Sequence, residues 1–279
     1  MNEPAVVVEL GRGRSGELVL MRRGDELQVV CNGAFVIASC NEQSSRALVA
    51  AARPSLPVGP LDVLIGGLGM GYALDEALDL PGLHSVTVAE YEPLIVEWFT
   101  THMRERASRA ERDARSRIVV ADVHDLLHAG PRYDLIALDT DNGPQWLIKA
   151  DNARLYEAGG LRLIAGALRP EGVVVFWSPE RYEEFETALH DSFGRVAAQP
   201  AIDVVDGRSI DYTMFVCCRP GLDEQGPGRP RAAGSRPELR SSEVPGSELP
   251  SCEPSGSELP HPERCRPCAG NDGGGVAGE

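Results

Sequence analysis

The stretch Asp62–Gly71, which reads DVLIGGLGMG, constrains the fold of this chain more than any other. An apolar run leads into glycines at alternating positions, and helix-forming residues follow from Tyr72 to Leu80. A strand, a glycine-rich turn and a helix in this order form a nucleotide-sized crevice at the carboxyl edge of a parallel sheet. Glycine is needed because the backbone must turn tightly and come close to a ligand. The stretch therefore predicts a Rossmann-like domain with four cofactor-binding glycines, Gly66, Gly67, Gly69 and Gly71.

The chain beyond Asp62 alternates between strand-like and helix-like segments, which is typical of a parallel sheet covered by helices. Two final strand-like segments, joined at Asp206-Gly207, predict an antiparallel pair that completes the sheet. The pattern predicts an α/β fold with a seven-stranded, methyltransferase-type sheet. The predicted strands are Val63–Ile65, Ser85–Ala89, Ile118–Ala121, Tyr133–Leu138, Val173–Trp177, Arg195–Val205 and Tyr212–Cys218, and the later predicted helices span Pro93–Arg115, Leu155–Leu168 and Pro179–His190.

The residues on either side of this domain have different patterns. Residues 5–39 contain four short β-type segments separated by glycine turns, and a helix is predicted over Glu42–Arg53. The segment 220–279 is rich in Pro, Gly, Ser and Glu, so it cannot bury enough apolar area to become ordered. We therefore predict a small N-terminal β unit with a linking helix (1–53), a nucleoside-binding domain (54–219) and a disordered tail (220–279). Cys265 and Cys268 have metal-ligand spacing without a second close pair, so no metal is predicted.

Acidic residues fall at or just after the ends of three successive predicted strands, where such a sheet presents its ligand. Glu90 would accept hydrogen bonds from ribose hydroxyls. Asp122 would accept from an adenine amine, with Val123 packed on the ring. Asp139, followed by Asp141, would face the reacting end of the ligand. Together with the glycine turn, these acids predict a nucleoside-type ligand.

Five segments resemble the spermidine synthase (polyamine aminopropyltransferase) family: GGLGMG, VTVAEYEP, VVADVHDLL, YDLIALDTDNGP and LRPEGVVVFWS. The resemblance covers about Leu18 to Cys218. It implies an N-terminal β unit and transfer of an aminopropyl group from decarboxylated S-adenosylmethionine to a polyamine such as putrescine. It also implies that Glu90 holds the ribose, that Asp122 holds the adenine end, and that the catalytic acids are Asp139 and Asp141. Asp139 would bind the attacking amine and take its proton.

The chain departs from this family at three points. Gly69 stands where the usual pattern, close to GGGDGG, has an aspartate, and residues 139–142 read DTDN where DSSD or similar is usual. Asn41–Arg46 replaces a Tyr-His-Glu segment. Two alternatives therefore stay open: a methyltransferase that uses intact S-adenosylmethionine on an unknown acceptor, and a non-catalytic ligand-binding scaffold.

The net charge of the chain limits the classes of partner that we expect it to bind. The sequence has 27 basic and 42 acidic residues, a formal net charge of -15. This charge disfavours nucleic acid and anionic membranes as partners and suits cationic substrates. No apolar run approaches the roughly 18 residues of a membrane span, and the first residues lack a signal-peptide pattern. We expect a cytoplasmic protein, and the resemblance leaves a homo-oligomer open.

Overall fold

A computed structural model describes residues 4–130, 132–141, 143–205 and 207–219. The predicted disordered tail, 220–279, lies outside these residues. At the N-terminus, four strands form an antiparallel sheet in the order β1-β2-β3-β4. A helix, α1, and one turn of 3-10 helix then lead to the main domain. These elements are β1 (Val6–Arg12), β2 (Glu17–Arg23), β3 (Glu26–Cys31), β4 (Ala34–Ala38), α1 (Glu42–Ala50) and the 3-10 turn Arg53–Ser55.

The main sheet has seven strands in the order β10-β11-β9-β8-β5-β6-β7. Strands β5 to β9 run parallel, and β11 pairs antiparallel with both β9 and β10. The predicted methyltransferase-type sheet is thus confirmed. Its strands are β5 (Leu61–Gly66), β6 (Leu83–Glu90), β7 (Ser116–Val120), β8 (Tyr133–Leu138), β9 (Leu168–Ser178), β10 (Arg195–Val205) and β11 (Arg208–Cys218).

Helices cover both faces of this sheet, so its central strands are mostly apolar. All six residues of β8 are buried. One apolar cluster joins the two sheets, because Leu18 and Leu20 of β2 belong to the same core as Val63 and Val175. A second cluster, which includes Phe176 and Phe215, lies on the other face. The helices are α2 (Tyr72–Leu78), α3 (Pro93–His102), α4 (Arg104–Arg112), α5 (Val123–Ala129), α6 (Ala153–Tyr156), α7 (Ala158–Ala167) and α8 (Glu183–Ser192).

Two predicted helices are each divided in the structure. The prediction of one helix over Pro93–Arg115 is wrong, because α3 ends at His102 and α4 ends at Arg112. Near the break, the Thr100 and Thr101 hydroxyls donate to the carbonyl of Glu97 at 2.8 and 2.9 Å, and such bonds bend helices.

The single helix predicted over Leu155–Leu168 is also wrong. Glu157 is extended, with φ -79° and ψ 161°, between α6 and α7. The turn between α6 and α7 is tight, so an ideal Cβ on Gly160 would lie only 1.9 Å from the Arg154 carbonyl oxygen. A glycine is therefore required where the two helices meet.

Several other boundaries also differ from the predictions. The helix predicted to end at Arg53 ends at Ala50, and the helix predicted from Pro179 begins at Glu183. Strand β9 begins at Leu168, before the turn that includes Glu171 at φ +64°. Within the described residues, no helix is both long enough and apolar enough to cross a membrane.

Candidate nucleoside and amine sites

A cleft of about 920 Å³, partly open to solvent, lies at the carboxyl edge of strands β5, β6 and β8 and beneath the N-terminal sheet. The structure brings most of the predicted site residues together there. Gly67, Gly69, Glu90, Asp122, Val123, Asp139 and Asp141 all line the cleft. Gly66 and Gly71 lie beside it: Gly66 ends β5 against Leu138, and Gly71 precedes α2 against Phe99.

Gly67 is the position where the turn most strictly requires glycine. Its φ is +95°, and an ideal Cβ would lie 2.2 Å from the backbone oxygen of Asp139. Its N–H donates to the carbonyl of Ala89 at 2.9 Å. The turn is therefore held against the ends of both neighbouring strands.

Gly69 faces the N-terminal sheet. Its φ is +51°, and an ideal Cβ would lie 2.8 Å from Cδ1 of Ile37. The space beside Gly69 is thus occupied by an apolar side chain. A residue with a side chain at this position would require Ile37 to move.

Glu90 is buried at the end of β6, with 8% of its surface exposed. Its Oε2 accepts the N–H of Leu68 and its Oε1 accepts the N–H of Glu92, both at 2.8 Å. Burial is the largest cause that raises the pKa of Glu90, and the charge of Glu92 adds to it. Since a carboxylate has about four acceptor positions, each oxygen can still accept a ligand hydroxyl.

Asp122 caps α5, because its Oδ1 accepts the N–H of His124 at 2.9 Å. Its Oδ2 accepts from Arg154 Nη2 at 2.7 Å and from Lys149 Nζ. Burial alone would raise the pKa of Asp122, but these partners hold it below its ordinary value. Lys149 Nζ also lies 4.2 Å from the ring centroid of Tyr91.

Sequence reasoning missed Lys149 and Tyr91. The one available signal was that Lys149 is the only lysine in the chain. Lys149 lies in the segment that follows β8. This segment folds back across the cleft, and local sequence patterns do not show that it does so.

Asp141 organises that returning segment. It is 3% exposed, its Oδ1 accepts the N–H of Ile148 at 2.9 Å, and its Oδ2 accepts from Thr140 Oγ1 at 3.2 Å. Burial raises the pKa of Asp141 to about 6, although hydrogen bonds from Asn152 and from the loop backbone oppose the shift. Its carboxylate is thus engaged by its own loop.

Asp139 lies in the wall between the cleft and a second cavity, because it lines both. Burial, together with the charges of Asp141, Asp203 and Glu90, raises the pKa of Asp139 to about 7. Among the described residues that line either cavity, Lys149 is the only cation, and it pairs with Asp122. The Asp139 end of the site is therefore negative.

The second cavity is partly open to solvent, with about 360 Å³ of empty space when its open mouth is included, and lies between the N-terminal sheet, α1 and the main sheet. Trp177 of β9 and Tyr212 of β11 form one side, with ring centroids 5.1 Å apart. Asn41 and Ser44, from the segment that departs from the family pattern, lie in its wall. The full lining is Phe35, Val36, Ile37, Asn41, Ser44, Ser45, Asp139, Trp177 and Tyr212.

These features define the class of protein: a Rossmann-like α/β protein with a methyltransferase-type sheet and a nucleoside-sized cleft at its carboxyl edge. Comparison of the chain with known proteins makes this class more specific. No family model matches the chain. The chain is similar in sequence to curated polyamine aminopropyltransferases and similar in fold to solved spermidine synthases.

The relatives are polyamine aminopropyltransferases. The one from Mycobacterium tuberculosis is 26% identical over 170 residues, which are 60% of this chain and 31% of the relative. Polyamine aminopropyltransferase 1 of Streptomyces coelicolor is 27% identical over 207 residues, 71% of this chain and 37% of the relative. The one from Pyrobaculum islandicum is 27% identical over 168 residues, 56% of each chain. The chain thus spans about a third to a half of the length of these relatives.

The similar solved structures are spermidine synthases. One, in complex with the transition state analogue AdoDATO, has a TM-score of 0.65 at 18% identity and covers 77% of this chain and 74% of that chain. The spermidine synthase from Thermotoga maritima has a TM-score of 0.63 at 16% identity, over 77% and 72% of the two chains. These likenesses establish the fold.

Proposed function

We propose that this chain is an aminopropyltransferase that moves the 3-aminopropyl group of decarboxylated S-adenosylmethionine to a polyamine such as putrescine. The observation that carries the proposal is the position of Asp139, which lines both the nucleoside-sized cleft and the second cavity. A group in that position can touch both the donor and the acceptor. The names of the curated relatives support the same reaction.

The donor occupies the cleft in this proposal. Glu90 accepts hydrogen bonds from the ribose hydroxyls, Asp122 accepts from the adenine amine, and Val123 packs on the ring. The acids at the Asp139 end favour a donor without a carboxylate, because like charges close together repel. A cationic aminopropyl chain suits the same surroundings.

The acceptor occupies the second cavity as an ammonium and first gives a proton to the Asp139 carboxylate. The freed nitrogen lone pair forms a bond to the carbon attached to the sulfonium. The carbon–sulfur bond breaks, and its electron pair stays on sulfur in neutral methylthioadenosine. The new secondary amine leaves as an ammonium, and Asp139 then releases its proton to water. Holding nitrogen, carbon and sulfur in line supplies much of the acceleration.

Asp141 remains the second predicted catalytic acid. Its bonds to Thr140 and Ile148 support a role in shaping the loop that covers the donor. Its charge also raises the pKa of Asp139, which brings this base close to neutral pH.

A methyltransferase that uses intact S-adenosylmethionine is the second candidate. It is favoured by Ile37, which occupies the space beside Gly69 where an acid would recognise the aminopropyl ammonium. A non-catalytic scaffold is the third. The cytoplasmic location and a homo-oligomeric state stay predictions.

A comparison of donors separates these candidates. Purified protein is titrated calorimetrically with S-adenosylmethionine, its decarboxylated form and methylthioadenosine, and is assayed with putrescine. Aminopropyl transfer that disappears in Asp139→Asn, with methylthioadenosine binding retained, supports the proposal. A preference for the intact donor without diamine turnover supports the methyltransferase, and binding of none of the three supports the scaffold.

A further inference from the structure

We propose that Lys149 recognises the base of the nucleoside by donating a hydrogen bond to a ring nitrogen beside the adenine amine. The inference rests on the proposed function, because it concerns the same donor and takes the adenine amine to be held by Asp122. It assigns a role in base specificity to the only lysine of the chain.

Lys149 lies in the cleft between Asp122 and Tyr91. Its Nζ donates to Oδ2 of Asp122 and lies 4.2 Å from the ring centroid of Tyr91. All three residues line the cleft, and the side chain of Lys149 is 16% exposed. The ammonium is therefore held beside the carboxylate that the proposed function assigns to the adenine amine.

The backbone of Lys149 is fixed by a buried acid. Asp141 accepts the backbone N–H of Lys149 as well as that of Ile148, the second at 2.9 Å. The side chain thus extends into the cleft from an anchored position. An anchored donor loses less conformational entropy when it binds a ligand than a free one does.

Lys149 retains donors for a ligand. An ammonium has three N–H donors, and among the described residues only Asp122 accepts one of them. The face of the Tyr91 ring attracts the positive charge, but it is not a hydrogen-bond acceptor of carboxylate strength. At least one donor is therefore available to an atom in the cleft.

Asp122 retains one acceptor position beside these donors. Its Oδ2 accepts from both Lys149 and Arg154, whereas its Oδ1 accepts the N–H of His124. A carboxylate oxygen has about two acceptor positions, so Oδ1 has one left. An acceptor next to a donor is the complement of adenine, whose amine donates and has a ring nitrogen acceptor on each side, N1 and N7.

Arg154 distinguishes recognition of the base from neutralisation of Asp122. Its Nη2 donates to the same carboxylate oxygen at 2.7 Å, but Arg154 is not among the described residues that line the cleft. Removal of either cation leaves Asp122 with one fewer partner. Only removal of Lys149 also removes a donor that can reach the base.

The test measures the binding of three nucleosides by calorimetric titration at about pH 7.5. They are methylthioadenosine and its 1-deaza and 7-deaza forms, in each of which a C–H group replaces one ring nitrogen. The proteins are the wild type, Lys149→Met and, as the matched control, Arg154→Met.

We expect Lys149→Met to weaken the binding of methylthioadenosine by about 10–100-fold, as for loss of a hydrogen bond from a charged group. One of the two deaza forms should bind the wild type correspondingly weakly and should lose less than about twofold in Lys149→Met. In Arg154→Met, the three nucleosides should change by the same factor. Lys149→Gln, which keeps a polar end near Asp122 without the charge, serves if Lys149→Met does not fold, and the same dependence on one ring nitrogen is expected.

Equal losses for the three nucleosides in the lysine variant would mean that Lys149 only pairs with Asp122, and that result would overturn the inference. Unchanged or tighter binding of methylthioadenosine would also overturn it, as would the same dependence on one ring nitrogen in Arg154→Met. Binding without aminopropyl transfer would remove the proposed function alone, because the comparison of nucleosides needs no acceptor. A wild-type protein that binds none of the three nucleosides would overturn both.

Discussion

Replacing Asp139 with asparagine should stabilise the folded protein above neutral pH while it removes the proposed proton acceptor. Burial, together with the charge of Asp141, raises the pKa of Asp139 from 3.8 to about 7 in the folded state. The folded protein therefore binds this proton more tightly than the unfolded chain does. The resulting stability is fully present below about pH 4 and is lost as pH rises to about 7.

The magnitude follows from the size of the pKa shift. Each unit corresponds to about 1.4 kcal/mol, so the ionised Asp139 costs the folded state up to roughly 4 kcal/mol at pH 8. Asparagine has nearly the same shape and no charge. The free energy of unfolding of Asp139→Asn should therefore match that of the wild type near pH 4 and exceed it by about 2–4 kcal/mol at pH 8.

Urea denaturation at about pH 4.5, 6 and 8 measures this difference. Glu90 and Asp141 titrate in both proteins, so their contributions largely cancel. Asp211→Asn, at an exposed position, should show no such pH-dependent gain. A difference between Asp139→Asn and the wild type that does not change with pH, or a less stable variant at pH 8, would refute the reasoning.

The same variant links stability to function. Aminopropyl transfer should fall by about 10²–10⁴-fold, as expected for loss of a general base, while the dissociation constant of methylthioadenosine changes by less than about threefold. A more stable but inactive variant is the signature of a residue kept for its chemistry. Unchanged turnover would remove Asp139 from the proposed mechanism.

The remaining predictions concern the donor cleft and the pH dependence of transfer. Gly67→Ala should lower the free energy of unfolding by more than the roughly 1–3 kcal/mol of backbone strain, because its Cβ meets the Asp139 backbone. Gly130→Ala also has a positive φ but open space around its Cβ, so urea denaturation should show strain alone. Glu90→Gln should weaken methylthioadenosine binding about 10–100-fold in calorimetric titration, and unchanged binding would exclude the ribose contact. The transfer rate should rise with pH through about 7 as Asp139 ionises, and a flat profile in stopped-time assays would contradict its role as base.

Much of the nucleoside-sized cleft could be predicted from sequence because its signals are local. In a parallel sheet, residues at successive strand ends meet at one edge whatever the remaining packing. Correct prediction of the strand ends was therefore enough to place Glu90, Asp122 and Asp139 together. The breaks at Met103 and Glu157 were missed because side-chain to backbone bonds and a close glycine contact, rather than periodicity, end those helices.

By itself, then, the sequence determined the α/β class, the seven-stranded sheet, the glycine turn and the row of acids, all of which follow from short-range pattern and strand direction. Only the tertiary structure decided what surrounds them. Asp203 meets Ser44 across 159 positions of the chain, and Lys149 reaches Asp122 across 27. Such contacts depend on how the N-terminal sheet and α1 pack against the main sheet, and packing of that kind leaves no periodic trace. The second cavity is therefore a property of the tertiary packing, whereas the nucleoside-sized cleft can be predicted from the strand ends.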